Sequence, residues 1–325
     1  MHPAFSVIFL TTLIGVGQGL FLALITGQSY SAVELLPSQD STSFYGIGGA
    51  LALIFLVAGL IASIFHLGRP ERAWRSATRW RSSWLSREVI ILPLVMLLVF
   101  VYAVMHLFSL DTVLFTSAKG ASLNVTLIIG ALGAVATFLL FLCTGMIYAS
   151  IKFLQEWASS LTVINYLLLG TASGFLLATA FAAVTAPGLM SFYGIWTTII
   201  LTSAFITRMA SLLRNSRIKY KSSIQTAIGI RHEKIQQKSM GMMGGAMNTR
   251  DFFHHKTTTI MNSVRWIFIV LTFLVPIILL WKGMNDASVN ILISAFVVQY
   301  IGLIFERWYF FAQASHPQNL YYQTK

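Results

Sequence analysis

The chain has 325 residues, of which 56% are hydrophobic and 10% charged, and its mean hydropathy is +0.75. A soluble domain carries about 25% charged residues, so this composition excludes a water-exposed globular surface and points to one all-α, membrane-embedded domain over residues 1–325. Lys and Arg number 22 against 10 Asp and Glu, a formal charge of +12, which in a membrane protein records sidedness and not nucleic-acid binding.

A spanning helix needs about 20 mostly apolar residues. Eight stretches qualify, near 4–25, 45–65, 89–108, 127–148, 161–186, 191–213, 266–281 and 289–305. The first lacks a basic leader and is too long for the apolar core of a signal peptide, so it reads as a retained helix. The seventh and eighth are the shortest, and Pro276 predicts a kink in the seventh, which neighbouring helices in a bundle can accommodate.

Sorting the charges by connection fixes an expected orientation. The first, third, fifth and seventh connections hold Lys119 and Lys282 as their only basic residues, beside Glu34, Asp40, Asp111 and Asp286. The second holds Arg69, Arg72, Arg75, Arg79, Arg81 and Arg87. The sixth, with the helix end leading into it, holds eleven more from Arg208 to Arg265, and Lys152, Arg307 and Lys325 share that side. Twenty basic residues against two predict both termini and the even-numbered connections in the cytoplasm. Two of those connections stand out: the second, 66–88, is rich in arginine and tryptophan (Trp74, Trp80, Trp84). The sixth, about 214–263, is long and includes a glycine- and methionine-rich piece, 240–247. Loops of such length are commonly functional or disordered.

Ionisable groups inside a bilayer are costly and therefore informative. The helix middles hold Gln18, Asn165 and Gln299 but no charge. The titratable groups gather at the expected cytoplasmic helix ends, where His66 closes the second helix, Glu88 opens the third, and Glu306 and Arg307 follow the eighth. An imidazole with a near-neutral pKa can both hydrogen-bond a carbonyl and exchange a proton, the two services that quinone reduction requires. The plain alternatives are macrodipole complements: a histidine at a helix end, and an acid in a first turn or paired with Arg87. A bis-histidine haem is disfavoured, because His66 and His106 fall at opposite ends of their helices and His2 sits at a terminus. The lone Cys143 precludes a disulfide or an iron–sulfur site within the chain. His232, His254 and His255, with Met240, Met242, Met243 and Met247, match no known metal spacing.

The run His66-Leu67-Gly68-Arg69-Pro70 with Arg72-Ala73-Trp74, followed by Trp84-Leu85-Ser86-Arg87-Glu88, resembles the membrane-anchor subunits of the dimethyl sulfoxide reductase type. Within that group it looks closest to anchors of sulfite-oxidising molybdoenzymes. His2-Pro3-Ala4-Phe5-Ser6, Asn248-Thr249-Arg250-Asp251-Phe252-Phe253 and Glu306-Arg307-Trp308 fit the same group, so the likeness runs the full length; the sixth connection departs, being longer and more basic than in the reductase anchors. The resemblance implies an eight-helix anchor of the bacterial inner membrane, holding no metal or haem itself. Such an anchor exchanges electrons between a quinone (menaquinone or ubiquinone) and a four-cluster iron–sulfur subunit, which connects to a molybdopterin catalytic subunit in a heterotrimer. It places the quinone-site histidine on His66 and the nearby acid on Glu88, with Arg69, Ser86 and Arg87 around them. Arg72, Arg75 and Arg79, with the sixth connection, would dock the iron–sulfur partner. The competing classes are a secondary transporter, which favours ionisable midplane residues and broken helices, and a purely structural anchor without a quinone site. Direction of electron flow and the partner's substrate are set by cofactors in other polypeptides.

Overall fold

The computed structural model describes residues 1–116, 122–235, 252 and 254–319. Lys119, the 240–247 piece, Asn248–Asp251, Phe253 and Lys325 lie outside the described residues, as does much of the sixth connection.

Among the described residues, eight helices are long and apolar enough to cross a membrane. They are α1 (Phe5–Ala32), α2 (Ser41–Ile64, whose first turn is a π turn), α3 (Trp84–Leu107), α4 (Val125–Ala149), α5 (Ser160–Thr185), α6 (Pro187–Ser216), α7 (Thr258–Asn285) and α8 (Val289–Ala312). A short helix, Ile224–Ile228, lies in the sixth connection. In the third connection, β1 (Val113–Thr116) pairs antiparallel with β2 (Ser122–Asn124), Val113 opposite Asn124. Asp111 anchors this hairpin by accepting from Asn124 Nδ2 at 2.6 Å and from the Thr126 backbone N–H at 3.3 Å.

The eight spans match the sequence reading in number and order, and their ends differ for identifiable reasons. Helix α1 continues past Ile25 because its polar residues find partners within the bundle: Thr26 donates to the Leu22 carbonyl, and Gln28 joins a buried network. Helix α7 runs 28 residues instead of the expected 16. A π turn over Val270–Leu274 directly precedes the piece that begins Val275-Pro276. That widened turn gives the proline ring room and removes the demand for its missing N–H. Helix α8 also extends, to Ala312, so Glu306 and Arg307 lie inside it and do not follow it.

Helix α1 is the hub, with 78% of its most apolar window buried, against 28–61% for the other spans. It packs on α2 and α5, and α5 packs on α6 and α8. Small residues permit the α1–α5 approach. Gly15 and Gly19 face Gly170 and Gly174, and a Cβ on Gly19 would stand 2.9 Å from the Thr171 Cα. With no hydrophobic drive between helices in lipid, such close backbone packing is a main source of association. The outer surface is apolar, as lipid contact requires: Ile54, Leu132, Val135 and Ile278 are among its exposed side chains.

The first residues of α1 and the last of α8 meet, since Ile8, Trp157, Phe310, Phe311 and Ala314 form one cluster, and Trp157 Nε1 donates to the Phe310 carbonyl at 2.9 Å. With eight antiparallel crossings, the even-numbered connections share this terminal end. His106 lies at the other end, as the sequence places it. There its ring contacts Ser41 Oγ at 2.7 Å and Gln28 Nε2 at 3.4 Å, while Tyr102 donates to Gln28 Oε1 at 2.9 Å.

Candidate functional site

The second connection is tied down where it meets α3. Ser83 caps the helix by accepting from the Ser86 N–H at 3.3 Å, so α3 starts at Trp84 and not near Val89. Glu88 therefore sits in the second turn, away from the exposed N–H groups of the helix start, and is no macrodipole cap. Nor does it pair with Arg87. That guanidinium lies 4.1 Å over the Trp84 ring and donates at 2.9 Å to both the Trp80 and Arg81 carbonyls, stapling the loop to the helix. The Pro70–Arg79 segment coils as a 3-10 helix that packs against α3.

Glu88 is half-buried and accepts a hydrogen bond from Thr144 of α4 at 2.5 Å. The two line a cleft with Leu10, Gln18, Phe141 and Tyr166, among others. Gln18 holds one wall by donating from Nε2 to the Thr137 carbonyl at 3.2 Å. The Tyr166 hydroxyl is buried, and its ring stacks on that of Tyr148 with centroids 5.5 Å apart. The cavity, about 10 Å³, fits one water. A carboxylate, three hydroxyls (Thr11, Thr144 and Tyr166) and an amide around a water-sized space can pass protons between the bundle interior and its terminal end.

His66 lies just beyond α2 in an exposed turn, and its imidazole makes no hydrogen bond to the described residues. Partial desolvation holds its pKa below the ordinary histidine value, so the ring is neutral near pH 7 with an N–H to donate. Ser86 is buried at the start of α3, whereas Arg69, Arg72, Arg75 and Arg79 are exposed. The terminal end thus carries His66 and the arginines outside, with Glu88 and Ser86 a layer deeper. Only Glu88 of these enters the cleft.

The sequence reading missed what lies behind the cleft. Arg208, counted there among loop charges, is buried within α6 and pairs through Nε with Glu306 at 2.8 Å. Arg307 pairs with the other Glu306 oxygen at 3.1 Å, and its guanidinium stands 3.7 Å over the Tyr166 ring. All three charged side chains are at most 4% exposed. Tyr166 therefore connects the Glu88 cleft to a buried triad of two cations and one anion. The available signal was Arg208 itself, lying within an apolar run, since a charge in a span almost always has a partner. Of the polar helix-middle residues, Asn165 accepts from Thr207 at 2.9 Å, and Gln299 is fully buried with neither amide atom partnered among the described residues. Among the described residues, no group of three or more His, Cys, Asp or Glu side chains is placed to hold a metal ion.

A profile of the family described as "DMSO reductase anchor subunit (DmsC)" matches residues 1–322. The chain is 52% identical over 324 residues to a sulfite dehydrogenase subunit of Allochromatium vinosum, covering 100% of this chain and 99% of that protein.

Proposed function

The chain belongs to the DMSO reductase anchor subunit family, and from that premise we propose that this multi-pass protein of the bacterial inner membrane passes electrons between an iron–sulfur partner and the quinone pool. In full, it is a single eight-helix anchor domain in a heterotrimer with a four-cluster iron–sulfur subunit and a molybdopterin catalytic subunit. The relative's name, sulfite dehydrogenase, favours a sulfite-oxidising partner and electrons running toward quinone.

One observation carries this reading. A half-buried carboxylate, Glu88, stands in a water-sized polar cleft at the end of the bundle where His66 and six arginines gather. Because the cleft has room for a water and not for a ring, the quinone headgroup belongs at its mouth, under the second connection. There His66 donates its N–H to one carbonyl. Reduction takes two electrons from the partner and two protons, one through the imidazole and one through Glu88 and its water, and yields the quinol. Selective loss of quinone turnover in His66 and Glu88 variants tests this.

Arg72, Arg75 and Arg79 are exposed beside Trp74 and Trp80, which are 65% and 53% exposed, and Arg75 and Arg81 lie over those rings at 5.5 and 5.4 Å. An arginine–tryptophan surface suits an acidic, partly aromatic protein face. Replacing Arg72, Arg75 and Arg79 with glutamine is expected to release the soluble subunits while the anchor still inserts, read by fractionating membranes. A complex that stays intact in moderate salt would move the dock to the sixth connection.

The reading places the terminal end in the cytoplasm, from the asymmetry of basic residues. In intact cells, Ser38→Cys is expected to react with an impermeant maleimide, and Thr78→Cys only after permeabilisation. Both positions are exposed, and the native Cys143 is buried. Reversed labelling would invert the orientation. With the terminal end in the cytoplasm, proton uptake occurs on the cytoplasmic side, so electrons arriving from that side make turnover electroneutral.

A further inference from the structure

A second cavity, of about 320 Å³, lies in the half of the bundle away from the termini, and its volume is in the range of ligand sites. Helix α1 supplies its floor with Leu22, Ile25, Ser29 and Tyr30, and Phe138 of α4 and Phe175 of α5 flank it. Phe138 is 51% exposed, so the groove opens sideways toward lipid. Leu22 lies near the middle of α1 and Tyr30 near its end. The eight residues between them span about 12 Å, close to the ~15 Å of hydrocarbon in one leaflet. Gln18, one turn before Leu22, bonds the Thr137 carbonyl at 3.2 Å and separates the groove from the Glu88 cleft. The groove is one leaflet deep.

Its lining changes with depth. The deep part is apolar apart from Thr171, whose hydroxyl is buried without a partner. In a helix that hydroxyl can turn to the carbonyl four residues back, as Thr26 does to Leu22 at 2.8 Å, and so leave the wall to a saturated chain. At the shallow end stand the hydroxyls of Ser29 and Tyr30, both residues half-buried. A phospholipid carries its ester carbonyls at that depth, whereas a polyprenyl chain has no acceptor to offer. The rim is acidic. Exposed Glu34 is held beside Tyr30, because the Leu35 N–H donates back to the Tyr30 carbonyl at 2.9 Å. Asp111 stands at the start of α4, where it accepts from the Thr126 N–H at 3.3 Å. The four connections at this end hold four acids and two lysines. Such a rim repels an anionic headgroup and attracts an ammonium, which a quinone lacks. We propose that the groove binds one acyl chain of a phospholipid with an ammonium headgroup, its esters accepting from Ser29 and Tyr30 and its ammonium pairing with Glu34.

The test uses the delipidated, assembled complex, offered phosphatidylethanolamine, phosphatidylglycerol of the same chains and a long-tailed quinone, with retained molecules counted by native mass spectrometry. The wild type is expected to retain phosphatidylethanolamine over phosphatidylglycerol by up to about fivefold, the range of a hydrated charge pair. Glu34→Gln should bring that ratio to one while lipid is still retained. Ala134→Leu and Ala134→Phe, which fill the groove from α4, should each lose one equivalent of phosphatidylethanolamine. Equal retention of the two phospholipids by the wild type overturns the proposal, as does an unchanged ratio in Glu34→Gln. An unchanged lipid count in both Ala134 variants moves the lipid elsewhere and overturns it too. Quinone retained in place of phospholipid, and lost in the Ala134 variants, would give the groove to quinone.

Discussion

Replacing His66 with alanine is expected to lower quinone-coupled turnover by about 10²–10⁴-fold, the range for loss of a positioned acid–base group. The soluble subunits should remain fully active with an artificial electron mediator. The imidazole stands free in its turn, so its removal leaves no buried partner unpaired, and assembly should be unaffected. Glu88→Gln should act differently. The amide can still accept from Thr144 but cannot carry a proton, so the cleft stays filled and the loss is smaller. A pH dependence that shifts in Glu88→Gln identifies the carboxylate as a proton carrier. Partial desolvation lowers the His66 pKa, so the protonated ring is the minor form at pH 7, and the His66-dependent limb should fall as pH rises through a value below that of an ordinary histidine. Full quinone activity and unaltered inhibitor binding in His66→Ala would reduce the histidine to a helix-end residue. The reacting group would then be sought in the Glu88 cleft, among Glu88, Gln18 and Tyr166.

The number of helices, their order and the gathering of charge at one end were legible because each depends on one-dimensional quantities: apolar run length and the distribution of Lys and Arg. Helix ends were less so. Gln28 and Arg307 look like exits from the membrane, yet a partner on another helix lets a polar residue stay inside. Glu88 was found through its motif, but its neighbours were not. Gln18, Thr144 and Tyr166 come from three other helices, and which helices flank one another follows from glycine contacts such as Gly19 against Thr171, not from the run of apolar residues. Gln18 carries a weak signal, since an amide in a helix middle needs a partner. Tyr166 carries none, because a tyrosine is common at a membrane interface.

The same pairing logic gives the largest expected effect on stability. Glu306 sits between Arg208 and Arg307 with all three side chains buried. Removing one partner of a buried ion pair costs about 3–5 kcal/mol, because a charge is left uncompensated, and Glu306→Gln leaves two. The variant is expected to assemble poorly and to melt well below the wild type in detergent. Arg208→Met should be milder, since it leaves Glu306 matched to Arg307 one to one and places an apolar side chain near the Phe268 ring, now 5.4 Å from the guanidinium. Arg307→Met keeps the Arg208–Glu306 pair but strips the cation from the Tyr166 ring, so its effect should fall on quinone turnover as well as on stability. The triple variant Arg208→Met, Glu306→Leu, Arg307→Met removes every charge at once. Apolar replacements of buried ion networks are often neutral or stabilising, so it should regain much of the stability lost in Glu306→Gln. If Glu306→Gln melts with the wild type, the carboxylate is not compensating the two guanidinium groups. If the triple variant recovers stability and also keeps full quinone turnover, the triad's contact with Tyr166 has no bearing on the Glu88 cleft.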